Sequence, residues 1–418
     1  MNDLKDDFSD FAEPMKREFT VGRGELPLAL LTYPAALLYT WFFWNSGNRI
    51  ASSIIVSLFT LFFLAAGEVL NRRKRASAES WIWMGGTILL LAAIVFREGR
   101  VWEGFELVFL HAFATYWLMS RSGHLARFDT SGFVWFDAFN AVVRIPLRNL
   151  ALRAKIVWHS LALGARGKTA VWTLGAAAAG IALFAFALWQ LSGADDGFAR
   201  ILEGISGWLY EDGTEDFFFR LALSVPIGAY LTGMFLGMNR ARYDEFSEGA
   251  DRISGGMGKL KRVPSAAWTA IIAAFCVLYA AFFAVQGSYL FGAFAGRLPA
   301  AFTVAEYARQ GFFELCRVMA VNFSLLWLAK RCASDRPSRP ILTILMAESV
   351  LLAATAMSKL GMYIGIFGFT PLRLQSSWLV IALLAGCVCA IVSVWTGRKT
   401  FRAWLIFSAA ALVLTCFY

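Results

Sequence analysis

Residues 376–396 read SSWLVIALLAGCVCAIVSVWT, a run without one charged side chain. As a helix rising about 1.5 Å per residue it reaches about 30 Å, the thickness of the hydrocarbon core of a bilayer. A water-soluble helix keeps a polar face, and this run has none, so it reads as a membrane span.

Working outward from it, apolar runs of similar length recur at about 26–44, 50–70, 81–96, 102–119, 170–191, 217–237, 266–287, 311–329, 341–360 and 403–418. With 376–396 that predicts about eleven spans, of which 81–96 and 403–418 are short for the purpose. Only helices or closed barrels satisfy backbone polar groups in lipid, and the runs are helix-length. The expected fold is therefore an all-α, polytopic integral membrane helix bundle. Composition agrees: 58% of the 418 residues are hydrophobic and 16% charged, with a mean hydropathy of +0.58.

Charge orients the bundle. The chain carries 39 Lys and Arg against 29 Asp and Glu, a net +10. These bases cluster in alternate connections: Arg72, Arg73, Lys74 and Arg75; the stretch Arg121 to Lys168; Arg240 to Arg262; Lys330 to Arg339; and Arg398 to Arg402. The intervening loops hold scattered bases, and one of them is acidic through Asp195, Asp196, Glu203, Glu211, Asp212, Glu215 and Asp216. The positive-inside rule then predicts the N-terminus in and the C-terminus out. Anionic headgroups account for the basic excess. No basic segment is interleaved with exposed stacking aromatics, which argues against a nucleic-acid partner.

The expected organisation is a cytosolic segment over 1–25, which lacks the basic n-region of a signal peptide, and a four-helix membrane group over 26–120. A cytoplasmic amphipathic segment lying on the inner leaflet follows over 121–169, and then a second membrane group over 170–418. Pro226, Gly228, Gly233 and Gly237 permit a kink and close helix approach.

Little here carries a named chemistry. Cys276, Cys316, Cys387, Cys389 and Cys416 lie in apolar runs and Cys332 at a cytoplasmic edge, so free thiols are expected and not a disulfide framework. Cys387 and Cys389 are two apart and diverge on a helix, and His111, His124 and His159 are scattered, so no metal site is expected. Gly255, Gly256, Gly258 and Lys259 imitate a phosphate cradle. Ile253 and Leu260 stand where its first glycine and its hydroxyl belong, so a flexible turn is the better reading. No cofactor and no catalytic residue is assigned.

The informative residues are ionisable groups inside the apolar runs, since each costs roughly 2.5–3.5 kcal/mol near a helix centre unless paired or wetted. With the topology above, Glu103, Glu106, Arg220, Glu314, Arg317 and Lys359 fall at one depth, in the outer third of the membrane. Arg309, Tyr307, Tyr363 and Arg373 from flanking loops can close over them. The candidate ligand-binding set is thus a polar layer with surplus positive charge, suited to an anionic small molecule or a lipid headgroup. The alternative is that these groups snorkel or pair with one another, as Glu314 and Arg317 can across three residues of one helix. Glu348 lies deeper, without an opposite charge nearby in sequence, and His111 is its one candidate neighbour near mid-membrane.

The strongest local patterns are Tyr307, Ala308, Arg309, Gly311, Phe312, Phe313, Glu314 and Leu315, then Met362, Tyr363, Ile364, Gly368, Thr370, Leu372 and Arg373. They resemble the bacterial multi-pass membrane proteins grouped as domain of unknown function 4173 and the related 4153. Those show Tyr-Ala-Arg-x-Gly-Phe-x-Glu-Leu at the start of one helix and Tyr-Ile…Gly-x-Thr-x-Leu-Arg after the next. The chain departs from that pattern at Phe367, where an aromatic that is often Tyr precedes the glycine, and at Pro371 inside the loop motif. The resemblance covers about residues 300–375. It implies a membrane location and gives weight to Tyr307, Arg309, Glu314, Tyr363, Thr370 and Arg373, but it supplies no reaction.

Three functions remain open at this level. One is binding or translocation of an anionic or lipid-linked small molecule through an outward-facing polar pocket. Another is a non-catalytic sensor or assembly partner whose basic loops meet a protein. The third is a membrane transferase, for which Glu103 and Glu106 are the one tempting carboxylate pair.

Overall fold

The computed structural model describes residues 19–22, 24–44, 49–96, 104–162, 214–259, 261–291 and 312–417. It is a polytopic bundle of α-helices, with no strand among the described residues. In chain order the helices are α1 (Glu25–Trp44), α2 (Arg49–Asn71), α3 (Ala78–Phe96), α4 (Gly104–Arg121) and α5 (Val134–Phe139). A π turn (Asn140–Arg144) leads into α6 (Ile145–Arg148) and α7 (Leu152–Ala162). Then come α8 (Thr214–Arg240), α9 (Tyr243–Gly258), α10 (Ser265–Phe291), α11 (Phe312–Cys332), α12 (Arg339–Phe367), α13 (Pro371–Thr396) and α14 (Phe401–Cys416).

Among the described residues, seven helices are long and apolar enough to cross a membrane: α2, α3, α8, α10, α11, α12 and α13. The shorter α14 is also apolar, and α1 and α4 match the expected runs at 26–44 and 102–119. The expected run at 170–191 lies outside the described residues. Helix ends follow local chemistry. Pro371 opens α13, Thr370 caps it, and Gly397 closes it with φ +71°, the left-handed conformation that glycine adopts without strain.

Two compact units form. The first joins residues 1–43 to 145–237. In it the Thr32 and Thr232 hydroxyls bond at 2.8 Å, and Arg153 Nε donates to the Ala29 carbonyl with its guanidinium 5.0 Å from the Tyr33 ring. A Cβ on Gly233 would stand 2.6 Å from the Pro146 carbonyl oxygen, so glycine is what lets α6 and Asn149 after it lie directly on α8.

The second unit joins residues 44–144 to 238–418. In it α2 and α3 pack on α4, α3 packs on α14, and the order continues α14, α13, α12, with α10 and α11 both against α12. Met319 of α11 and Leu352, Ala353 and Ala356 of α12 make one buried seam. Ile272, Leu345 and Met346 make a second. Small residues such as Ala353 and Ala356 allow the close backbone approach on which helix association in lipid depends.

The basic connections of this unit meet at one end. Ser334 N donates to the Val263 carbonyl at 2.9 Å, Lys330 Nζ to Ser393, Lys74 Nζ to the Ser122 carbonyl and Arg127 to Asp251 at 2.6 Å. Short α5 and its π turn sit there too, with Asp137, Asn140 and Ala141 buried and Trp135, Phe139 and Val142 exposed. Apolar-out and polar-in is the reverse of a soluble surface helix and suits contact with lipid. The glycines Gly255, Gly256 and Gly258 close α9. The flexible turn expected there is therefore helical, because Phe246 and Ala250 bury one face and Asp244 and Glu245 suit the dipole of its first turn.

Candidate functional site

The start of α11, the end of α12 and the start of α13 lie at the end of the second unit away from the basic connections. The turn between α12 and α13 is organised by the residues of the second sequence motif. Gly368 takes φ +74°, Thr370 Oγ1 accepts from Arg373 N at 3.4 Å, and Arg373 folds back along the turn. Its Nη1 donates to the Phe367 and Gly368 carbonyls at 2.8 and 2.6 Å. The guanidinium lies 4.2 Å from the centroid of Tyr363 and 5.7 Å from that of Phe367. Cation, ring and helix-end carbonyls thus satisfy each other. Pro371 takes the first-turn position of α13, where no amide donor is missed.

Glu314 and Arg317 bond at 2.7 Å on α11 with side chains 61% and 72% exposed. They face away from Phe312, Leu315, Cys316 and Met319, which enter the core. Lys359 does the opposite: it is 1% exposed, among the largest buried side chains, on the turn of α12 that carries Ala356 and Leu360 inward. Tyr363, Thr370 and Arg373 therefore come together, Glu314 joins Arg317, and Lys359 belongs to a different face.

Glu106 is 4% exposed in the first turn of α4, whose Phe105 and Phe109 rings meet Trp378 of α13 at 6.1 and 5.9 Å. Arg220 belongs to the other unit, with Asp216 Oδ2 4.0 Å away. Glu103, Tyr307 and Arg309 lie outside the described residues. His111 donates from Nδ1 to the Leu107 carbonyl at 2.6 Å, within its own helix.

Buried polar groups that sequence reading did not single out gather at the basic end. Glu79 is fully buried and accepts from Thr130 N at 2.7 Å and from Arg402 Nε and Nη2 at 2.9 and 3.2 Å. Thr130 Oγ1 in turn receives Trp83 Nε1 and the Tyr116 hydroxyl at 3.2 and 3.3 Å. Arg121 forks onto Glu68 with Nε and Nη2 at 2.9 and 3.0 Å.

In the same region His124 donates to the Ala241 carbonyl at 3.1 Å. Burial, helped by the charge of Lys74, holds its imidazole down to about 4. Asp137 accepts from Ala126 N at 3.0 Å, and its Oδ2 is buried with no hydrogen-bond partner. Burial pushes this carboxyl up to about 7 against the bond from Ala126. The sequence signal for Glu79 and Asp137 was weak, since both stand beside apolar runs and not inside them.

All six cysteines are free thiols. Among the described residues no group of three His, Cys, Asp or Glu side chains could hold a metal ion.

No curated protein matches the chain, and no solved structure does. A family model does match, over residues 84–418. That span holds the turn built by Tyr363, Gly368, Thr370 and Arg373 as well as the Glu314–Arg317 pair, and it covers most of the chain: this protein belongs to the family described as Domain of unknown function (DUF4153).

Proposed function

We propose that this multi-pass membrane protein sits in the bacterial inner membrane, with its basic end in the cytoplasm, and binds or translocates an anionic or lipid-linked small molecule at the opposite, outward-facing end. The observation that carries the reading is Arg373. One guanidinium nitrogen is fixed to two carbonyls and the plane is held over Tyr363. Its Nε and Nη2 make no hydrogen bond among the described residues. A cation anchored this way presents its remaining donors to an incoming oxyanion without losing side-chain freedom on binding. Arg317 stands at the same end, paired with Glu314 and largely exposed.

The test is native mass spectrometry of the full chain with phosphatidylglycerol and phosphatidylcholine, together with uptake of anionic solutes into proteoliposomes. Preferential retention of the anionic lipid, or anion uptake, lost in both Arg373→Leu and Arg317→Leu supports the reading. Behaviour unchanged in both variants overturns it.

A second reading is favoured by a separate observation. Arg72, Arg73, Arg75, Lys259, Lys261, Arg262, Arg398 and Lys399 are all exposed at the basic end, on a frame held by the Glu79–Arg402 and Arg121–Glu68 pairs. That surface suits an acidic protein partner, for which the chain would act as a sensor or assembly platform. Crosslinking in native membranes that captures one acidic protein, lost when the exposed bases are replaced by Gln, supports it. Crosslinking that returns no protein refutes it.

A further inference from the structure

Three helices carry neutral polar side chains to one depth in the middle of the second unit. The Tyr279 hydroxyl of α10 donates to Asn322 Oδ1 of α11 at 2.7 Å. Asn322 Nδ2 donates to Ser349 Oγ of α12 at 2.9 Å, and the Ser349 hydroxyl donates to the Leu345 carbonyl at 2.9 Å. The three side chains thus form one continuous hydrogen-bonded chain, and Asn322 and Ser349 are fully buried.

Glu348 sits beside this network without joining it. Its carboxyl meets the thiol of Cys276 on α10, and its Oε2 is buried with no hydrogen-bond partner. Among the described residues, the titratable groups facing it are Cys276 and Tyr279, both from α10. None of the described helices packed on α12 offers a counter-charge at this depth. From Ser265 to Phe291, α10 has no charged residue. On α11 there is none between Arg317 and Lys330, and on α13 none after Arg373. On α12 itself the nearest cation is Lys359, about three turns along.

A lone carboxylate at mid-membrane, with one oxygen unsolvated by protein, is an expensive arrangement unless something neutralises it. A sodium ion would require several oxygens turned to it, whereas Asn322 Oδ1 and Ser349 Oγ already accept hydrogen bonds from their neighbours. A proton needs none. We propose that Glu348 is an intramembrane proton-binding site, loaded and unloaded within the α10–α11–α12 cluster and separate from the anion-binding end. Along α12 it lies roughly 22 Å from Tyr363 at the helical rise.

The experiment treats the full-length protein in phosphatidylcholine vesicles with dicyclohexylcarbodiimide and locates the adducts by mass spectrometry. A protonated carboxyl gives its proton to a carbodiimide nitrogen while its oxygen adds to the central carbon. Where water is excluded, the O-acylisourea rearranges to a stable N-acylurea. The expected result is an adduct on Glu348 that is absent in Glu348→Gln. Its yield per mole of protein should fall roughly tenfold for each pH unit above its midpoint. Wild-type labelling decides the matter even if the Gln variant fails to fold. No adduct on Glu348 at any pH where Glu314 reacts overturns the proposal. Protection by sodium and not by choline at constant pH also overturns it and assigns a sodium site instead.

Discussion

Asp137 and His124 make a quantitative prediction, because burial moves them in opposite senses within one pH window. Asp137 titrates near 3.8 when unfolded and about 7 when folded. Its raised folded value means that its contribution is fully present below about pH 3.8 and is lost as pH rises to about 7, worth about 4 kcal/mol at roughly 1.4 kcal/mol per unit. His124 is the mirror case, at 6.5 unfolded and about 4 folded. Its contribution is present above pH 6.5 and is lost as pH falls to about 4, worth about 3 kcal/mol. Across about pH 4 to 6.5 the two slopes cancel, and the pair leaves stability nearly flat.

Removing either partner exposes the other. Relative to wild type, Asp137→Asn should gain stability steadily as pH rises from about 4 to 7, ending about 4 kcal/mol ahead. His124→Gln, whose amide can still donate to the Ala241 carbonyl, should gain as pH falls from about 6.5 to 4. Thermal unfolding of both variants and wild type in lipid nanodiscs, at constant ionic strength, measures these differences directly. Working with differences removes every other titrating group. The reasoning fails if both difference curves are flat to within about 0.5 kcal/mol, or if either slopes the other way.

Three further outcomes follow from packing. Gly67→Ala places a Cβ 2.5 Å from the fully buried Trp117 ring; it should destabilise the α2–α4 contact by about 1–3 kcal/mol, seen as a lowered melting temperature. Arg402→Gln leaves the buried Glu79 carboxylate with Thr130 alone as donor and no counter-charge. It should cost about 2 kcal/mol, less than a fully buried pair because Arg402 is half-exposed, and Glu79→Gln added to it should recover part of the loss in a double-mutant cycle. Asn322→Leu strands the Tyr279 hydroxyl and removes the bond to Ser349, for about 1–2 kcal/mol, whereas Asn322→Gln should lose less; equal losses would mean that shape and not hydrogen bonding holds the three helices.

Hydropathy made most of the helices legible. Runs such as 341–360 and 376–396 have one physical explanation each, and α12 and α13 contain them whole. The close approach expected at Gly228, Gly233 and Gly237 was readable too, because small residues recurring along a span leave room for a neighbouring backbone. The polar end was only half legible. Tyr363, Thr370 and Arg373 stood out as a pattern, yet nothing local showed that Arg373 would turn back onto the Phe367 and Gly368 carbonyls. Glu314 and Lys359 looked alike as charges in apolar runs. One faces outward beside Arg317 and the other is sealed in the core.

The sequence alone determined the class of molecule, the helical content and the segregation of basic connections, because those depend on sums over neighbouring residues: transfer energy along a window and charge within a loop. The tertiary structure decided which way each ionisable side chain turns and what it meets. It put Glu79 under Arg402, left Asp137 with one amide donor, and isolated Glu348 beside Cys276. Those outcomes depend on the azimuth of each helix and on partners from 11 to 323 residues away. Both are set by interhelical packing, to which a linear reading has no access.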